Sequence, residues 1–263
     1  MSSPRPLLKR AAAFAAGAVL AALAAGAHAQ GLRPSTVESF TPGIGAGFGS
    51  AFFPANVLAG PDGGENPPFL PNASEQQLLA LGSGGAIVLR WDGDVILDGP
   101  GPDFIVFENV FLEQTTGNPF MEAGIVSAGK TATALETFPF RFEPPPGWDA
   151  GNPFAIPLTA VNLPGVAGTQ PTLATAANGI DPADPALAGG NAFDLADLGL
   201  TWAGHIEIRD PKGPLEPGAA LGSNGLPIYD TPVGLNGFDL DTVVAIHFGP
   251  LPASASEGWA LYE

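Results

Sequence analysis

The sequence predicts an all-β protein, a two-sheet jelly-roll β-sandwich with long Pro/Gly-rich loops. Three observations predict it. Thirty-six glycines and 29 prolines punctuate 263 residues, a density helix interiors do not tolerate, because proline lacks an amide donor and glycine carries the largest backbone entropy loss. Short apolar runs recur between Gly, Pro and Asp turn signals, the mark of many short strands. Cysteine is absent, so no disulfide framework supports the fold, and the chain is long enough to bury a core without one.

Along the chain, Arg5, Lys9 and Arg10 precede an uncharged apolar run, Ala11 to Gly26, and Ala27-His28-Ala29 completes a small-x-small pattern. This is the form of a cleavable export signal, too short in its apolar part for a membrane span. Residues 1–29 are therefore expected to be removed. The remainder, 30–263, is expected to be one domain, secreted, periplasmic or at the cell surface, with no membrane span after cleavage. The whole chain has 9 Lys+Arg against 26 Asp+Glu, and loss of the three basic residues brings the net charge to about −20. Such a surface repels nucleic acid and anionic lipid; it suits divalent cations, and it also serves solubility.

Thr41 to Ser50 is a glycine-rich loop without the Gly-Lys-Ser/Thr of a phosphate loop. Leu78, Leu79 and Leu81, then Gly82-Ser83-Gly84-Gly85, then Ile87, Leu89 and Trp91 predict a hairpin about a glycine turn. A short helix over Ser74–Ala80, capped by Ser74, is the competing reading. Val95–Leu97 is a strand, Asp98–Asp103 a rigid oxygen-rich turn, and Phe104–Phe107 a strand apolar on both faces and so central. Strands follow at Ala123–Ser127 and Thr137–Phe142, the latter placing Phe138, Phe140 and Phe142 on one face. Residues 150–190 have weak periodicity and read as a long surface excursion, whose length argues for a hidden short strand. Gly204–Arg209 sets His205, Glu207 and Arg209 against Ile206 and Ile208; 211–235 is a second excursion. The last strand, Thr242–Phe248, faces inward with either Val243, Ala245 and His247 or the more apolar Val244, Ile246 and Phe248.

Without cysteine there is no thiol catalysis, zinc–thiolate site or iron–sulfur cluster. His205 and His247 are too few for a histidine-rich metal site, and neither a Gly-x-Ser-x-Gly elbow nor a His-Glu-x-x-His pair is present. Acidic residues group in three places: Asp92, Asp94, Asp98 and Asp103 with Glu108; Asn191, Asp194 and Asp197; Asp239 and Asp241. Calcium takes six to eight hard oxygens, often on glycine-bent backbone. The same residues also cap turns and helices, and both readings stand. Trp148, after Pro144-Pro145-Pro146-Gly147, and Trp202 are the loop aromatics best placed to stack on a sugar. Glu108 and Glu122 are the carboxylates a glycosidase would need.

These residues carry a resemblance. LGSGGAIVLRWDGDVILDGPGPDFIVFEN, FMEAGIVSAG, GGNAFDLADLGL and GFDLDTVVAIH follow in order through most of residues 78 to 248. Together they resemble a widespread group of bacterial secreted proteins usually labelled "cell surface protein", some of which carry an exosortase sorting tail. The resemblance implies a jelly-roll fold similar to carbohydrate-binding and discoidin-like domains, and no established catalytic activity. It implies structural calcium held by Asp103, Glu108, Asp194 and Asp239, with Asn191, Asp197 and Asp241 behind them. The chain departs from the pattern at Ile125–Lys130, where a turn Asp is missing, and it ends at Tyr262-Glu263 with no sorting tail. The expectation is a non-catalytic, calcium-stabilised extracytoplasmic binding module for a glycan or other small surface ligand, gripped through Trp148 or Trp202. A capture protein for an outer-membrane transporter (its cargo a corrinoid), a glycan-cleaving enzyme and a structural envelope protein are the alternatives.

Overall fold

The computed structural model describes residues 31–152, 155–230 and 237–252. The residues read as an export signal, the end of the second excursion and the final residues, Tyr262-Glu263 among them, lie outside the described residues. The strands are β1 (Thr36–Thr41), β2 (Leu79–Ala80), β3 (Ala86–Arg90), β4 (Asp94–Leu97), β5 (Phe104–Glu108), β6 (Phe111–Leu112) and β7 (Pro119–Phe120). They continue with β8 (Ile125–Gly129), β9 (Leu135–Thr137), β10 (Asn191–Phe193), β11 (Trp202–Ala203), β12 (His205–Arg209), β13 (Asp239–Ala245) and β14 (Phe248–Pro250). Five form one sheet in the order β1-β3-β12-β8-β9 and four form another, β10-β5-β13-β2; β11-β4-β14 and β6-β7 are smaller sheets. Every pairing between these strands is antiparallel. The described residues contain no α-helix, only three short 3-10 turns, and no helix long and apolar enough to cross a membrane.

The sandwich follows from strand period two. In β12, Ile206 and Ile208 are fully buried while His205, Glu207 and Arg209 are half-buried. The two isoleucines meet Ile87, Leu89, Val126 and Ala128 of their own sheet, and Phe104, Val106, Val243 and Ala245 of the other, in one core. β5 is central, as its two apolar faces predict, and all five of its residues are buried. Its outer face explains the first long excursion. Ile105 and Phe107, with Val244 of β13, pack against Ala174 and Ala188, with Ile180 and Ala183 beside them. Residues 174–188 therefore form a lid over the second sheet rather than a loop in solvent, because a strand apolar on both faces needs cover on both. Among the described residues of this excursion there is no hidden strand: a 3-10 turn at Ala160–Asn162 and isolated bridges from Ala167 and Thr172 take its place. For β13 both candidate faces are buried, Val243 and Ala245 in the sandwich core and Val244 beneath the lid with Ile246 packed beside it.

Two local expectations are corrected. The run through Gly82–Gly85 is not a hairpin: β2 pairs with β13 in the second sheet, whereas β3 pairs with β1 and β12 in the first. The glycines carry the chain between sheets in a confined corner, where a side chain at Gly85 would fall 2.0 Å from the Leu81 carbonyl oxygen. The competing helix is a single turn, with Gln77 and Leu78 N–H donating to the Ser74 carbonyl. The second strand of the next pair stops at Thr137, since Pro139 offers no ladder donor. Phe138 then enters the main core, and Phe142 enters a separate cluster with Met121, Leu158, Leu163, Ile228 and Tyr229.

A candidate metal centre and a polar groove

Asp103 closes the turn before β5 and is fully buried. Its Oδ1 accepts from Gly99 N–H at 2.8 Å and contacts His247 Nδ1 at 2.8 Å; its Oδ2 accepts from Leu195 N–H at 2.7 Å. One carboxylate thus joins three parts of the chain. Beside it, Asp194 uses its Oδ1 to cap the 3-10 turn Leu195–Leu198 through Ala196 N–H. Asp98, exposed, completes a group in which one oxygen from each carboxylate lies within 4.8 Å of the others. A carboxylate has about four lone-pair positions, so Asp103 has one left after its three contacts. The group could hold a metal ion, with solvent completing the shell on the Asp98 side.

A second acidic assembly lies at the ends of β5 and β13. Glu108 and Asp241 are 2% and 1% exposed, and Asp210 and Asp230 are equally closed off. Asp241 owes its place to a bulge: the β13–β5 ladder pairs Leu240 with Glu108 but Thr242 with Phe107, leaving Asp241 as the extra residue. Its Oδ2 accepts from Asp62 N–H at 2.8 Å, while Oδ1 has no donor. Glu108 Oε1 accepts a long bond from Asp239 N–H, 3.4 Å, and the Asn109 backbone N–H also acts on this carboxylate, while Oε2 has no donor within hydrogen-bond geometry; Asp239 Oδ1 is likewise without a donor. Asp210 accepts from Gly84, Lys212 and Phe238 N–H. Among the described residues the ion pairs involve Arg90, Arg141 and His247, and none of them reaches Glu108, Asp210, Asp239 or Asp241.

Electrostatics follow from that isolation. Burial, and then the neighbouring Asp239 charge, raise Glu108 well above the usual carboxylate range. Burial pushes Asp239 up to about 7 against an opposing hydrogen bond from Asn109. Asp241 is raised well above its ordinary value by burial, the Asp62 charge adding to it, and Asp210 is raised by burial.

Two spaces adjoin this assembly. A small, partly open cavity of ≈ 10 Å³ is lined by Asp62, Glu108, Asn109, Thr172 and Asp241 among others. Above it lies an open groove of ≈ 600 Å³, lined by Asp62, Glu65, Asn72, Ser74, Gln77 and Thr175 among others. Gln77 Nε2 donates to Asp62 Oδ2 at 2.7 Å, and Asn72 and Asn109 exchange hydrogen bonds. The groove wall is thereby held by amides.

The expected ligand sites are placed differently. Trp148 is half-buried, edge-on to Phe142 at 4.7 Å and to Tyr229 at 6.1 Å between ring centres. Trp202 is half-buried, with Lys130 Nζ 5.3 Å from its ring centre. Neither lines the groove. Trp148 is occupied in packing against Phe142 and Tyr229, and Trp202 is not on a loop at all but on β11, paired with Leu97 of β4. Asn191 is engaged with Thr169 through two hydrogen bonds, and Asp197 is exposed; neither joins Asp98, Asp103 and Asp194. Glu108 and Glu122 are both buried, and neither lines the groove. Sequence reasoning missed Asp62, Asp210 and Asp230, each of which reads locally as a turn carboxylate. Among models of protein families none matches this chain, and no curated protein matches it.

Proposed function

We propose that this chain is an exported, non-catalytic binding module, a calcium-stabilised sandwich of the jelly-roll kind that the resemblance implies, taking a glycan or another small surface-presented molecule. The groove carries the reading. Two stretches of chain, 62–77 and 175–177, supply it with carboxylate, amide and hydroxyl groups, the donors and acceptors that a polyhydroxylated neutral ligand matches. The N-terminal signal pattern and the cell-surface resemblance support an extracytoplasmic place. Calcium is the ion whose oxygen preference fits Asp98, Asp103 and Asp194.

The groove is tested with the mature protein on a glycan array, followed by calorimetry of each hit against Thr175→Val and Glu65→Gln. About tenfold weaker binding is expected from either substitution, the loss of one or two hydrogen bonds. Hits unaffected by both would remove the groove from the reading. For the calcium site, Asp194→Ala should bind one calcium equivalent fewer than the unmodified protein in equilibrium dialysis. It should also show a smaller calcium-induced rise in melting temperature; an unchanged equivalent count would leave Asp194 as a helix-turn cap alone.

A further inference from the structure

We propose that the small cavity at the ends of β5 and β13 is a second cation site, separate from Asp98, Asp103 and Asp194, in which Glu108 and Asp241 hold one hard divalent ion. Four observations carry this. First, the cavity measures ≈ 10 Å³, about one probe sphere, which is room for one ion or one water and no more. Second, both carboxylates are at least nine-tenths buried, and each leaves one oxygen, Glu108 Oε2 and Asp241 Oδ1, without a donor. An unmatched anionic oxygen in the interior is costly unless something positive meets it. Third, no Lys, Arg or His among the described residues pairs with either. Fourth, the remaining polar lining is oxygen-rich and has no imidazole or sulfur: Asp62, Asn72, Asn109 and Thr172. Thr172 donates its hydroxyl hydrogen to the Glu108 carbonyl, 2.8 Å, which leaves its oxygen lone pairs available. A set of carboxylate, amide and hydroxyl oxygens selects calcium or magnesium over zinc and copper, and the irregular arrangement suits the less demanding calcium shell.

The two acidic sites differ in what already occupies their oxygens. Asp103 is engaged by three nitrogens, whereas Glu108 and Asp241 each keep a bare oxygen and line a space the size of one ion. The bulge that sets Asp241 into the interior is the local device that builds the second site. An ion here has a consequence for the groove above. Asp62 lines both spaces, donates its N–H to Asp241 and accepts from Gln77, so the ion would fix the groove floor. This coupling rests on the groove reading; the ion site does not.

The test uses the full mature protein, stripped with chelator and then titrated with calcium alone. Asp241→Asn and Glu108→Gln should each bind one calcium equivalent fewer than the unmodified protein, and Asp194→Ala should retain the equivalent they lose. The amide variants remove charge and keep shape, so a crossing is expected: more stable than the unmodified protein in chelator, less stable in millimolar calcium. A merely structural role for these carboxylates gives no such crossing. Independently of any variant, crystals of the unmodified protein soaked in terbium should show anomalous density between Glu108 and Asp241. Density confined to Asp98 and Asp194, no density at all, or full calcium binding by Asp241→Asn would overturn the proposal; a buried water or shared proton would then occupy the cavity. Loss of glycan binding by Thr175→Val with the calcium count intact would concern the groove only.

Discussion

Replacing Asp103 by alanine should lower the melting temperature by about 10 °C. The substitution strands Gly99 N–H, Leu195 N–H and His247 Nδ1 at once. A buried donor left without an acceptor costs about 1–3 kcal/mol. His247 is the mildest of the three, because its ring is partly exposed and water can reach it. A total near 4 kcal/mol is therefore expected, and in a domain of this size each kcal/mol moves the melting point by about 2–4 °C. Asp103→Asn should cost roughly half as much, since its carbonyl oxygen can serve one side while its amide faces the other as a second donor. Calorimetric melts in chelator check both values and separate them from any contribution of a metal. A loss below about 1 kcal/mol for the alanine variant would mean that the three segments are held by packing alone.

The second large effect is on pH. In chelator, the protein should be more stable at pH 5 than at pH 7.5. The folded state raises Asp239 to about 7 and raises Glu108, Asp241 and Asp210 as well. A carboxyl raised on folding binds more protons folded than unfolded through that interval, so stability falls as pH increases. Its contribution is complete below the unfolded value, near 4, and is lost through the folded one. For Asp239 the window runs from about 4 to about 7, and at 1.36 kcal/mol per unit its share is of the order of 4 kcal/mol. Neighbouring carboxylates reinforce the sign at two of these groups, Asp239 and Asp230 at Glu108 and Asp62 at Asp241, whereas at Asp210 a hydrogen bond with Asp230 opposes the rise that burial causes. Saturating calcium should flatten the slope, because an ion replaces the protons and binds the ionised form. Urea unfolding at intervals between pH 5 and 8, with chelator and with calcium, reads both curves. Stability that climbs toward pH 7.5 in chelator would contradict the burial of these carboxyls.

What could be read from the residues alone depended on how local the signal was. Ile87-Val88-Leu89, Phe104–Phe107 and the Ile206/Ile208 alternation announce strands by themselves, and all three are strands. Thr36–Thr41 was missed because TVESFT mixes polar residues on both faces of an edge strand. β6 and β7, two residues each, are too short for any period. The glycine turn at 82–85 was read correctly as a turn and wrongly as a hairpin. A turn fixes chain direction, whereas the partner of Leu79–Ala80 is decided by β13, far along the chain. The same distinction governs the site. Asp103, Glu108, Asp194, Asp239 and Asp241 stood out by spacing near strand ends. Asp62 had only PDGG around it, and its meaning comes from Asp241, 179 residues away. Trp148 misled because Pro144-Pro145-Pro146-Gly147 signals an exposed loop, and nothing local reveals that Phe142 and Tyr229 wait for its ring.

The positions of β12 and β13 bear on timing. Both occupy interior places in their sheets, between β3 and β8 in one and between β5 and β2 in the other, although they are among the last strands in chain order. Pairings such as His205 with Arg90 and Leu240 with Glu108 span over a hundred residues, and such distant closures slow the approach to the native state. A polypeptide delivered amino end first would present two half-built sheets until these late strands emerge. Its maturation clock would be set by the arrival of the carboxy-terminal third.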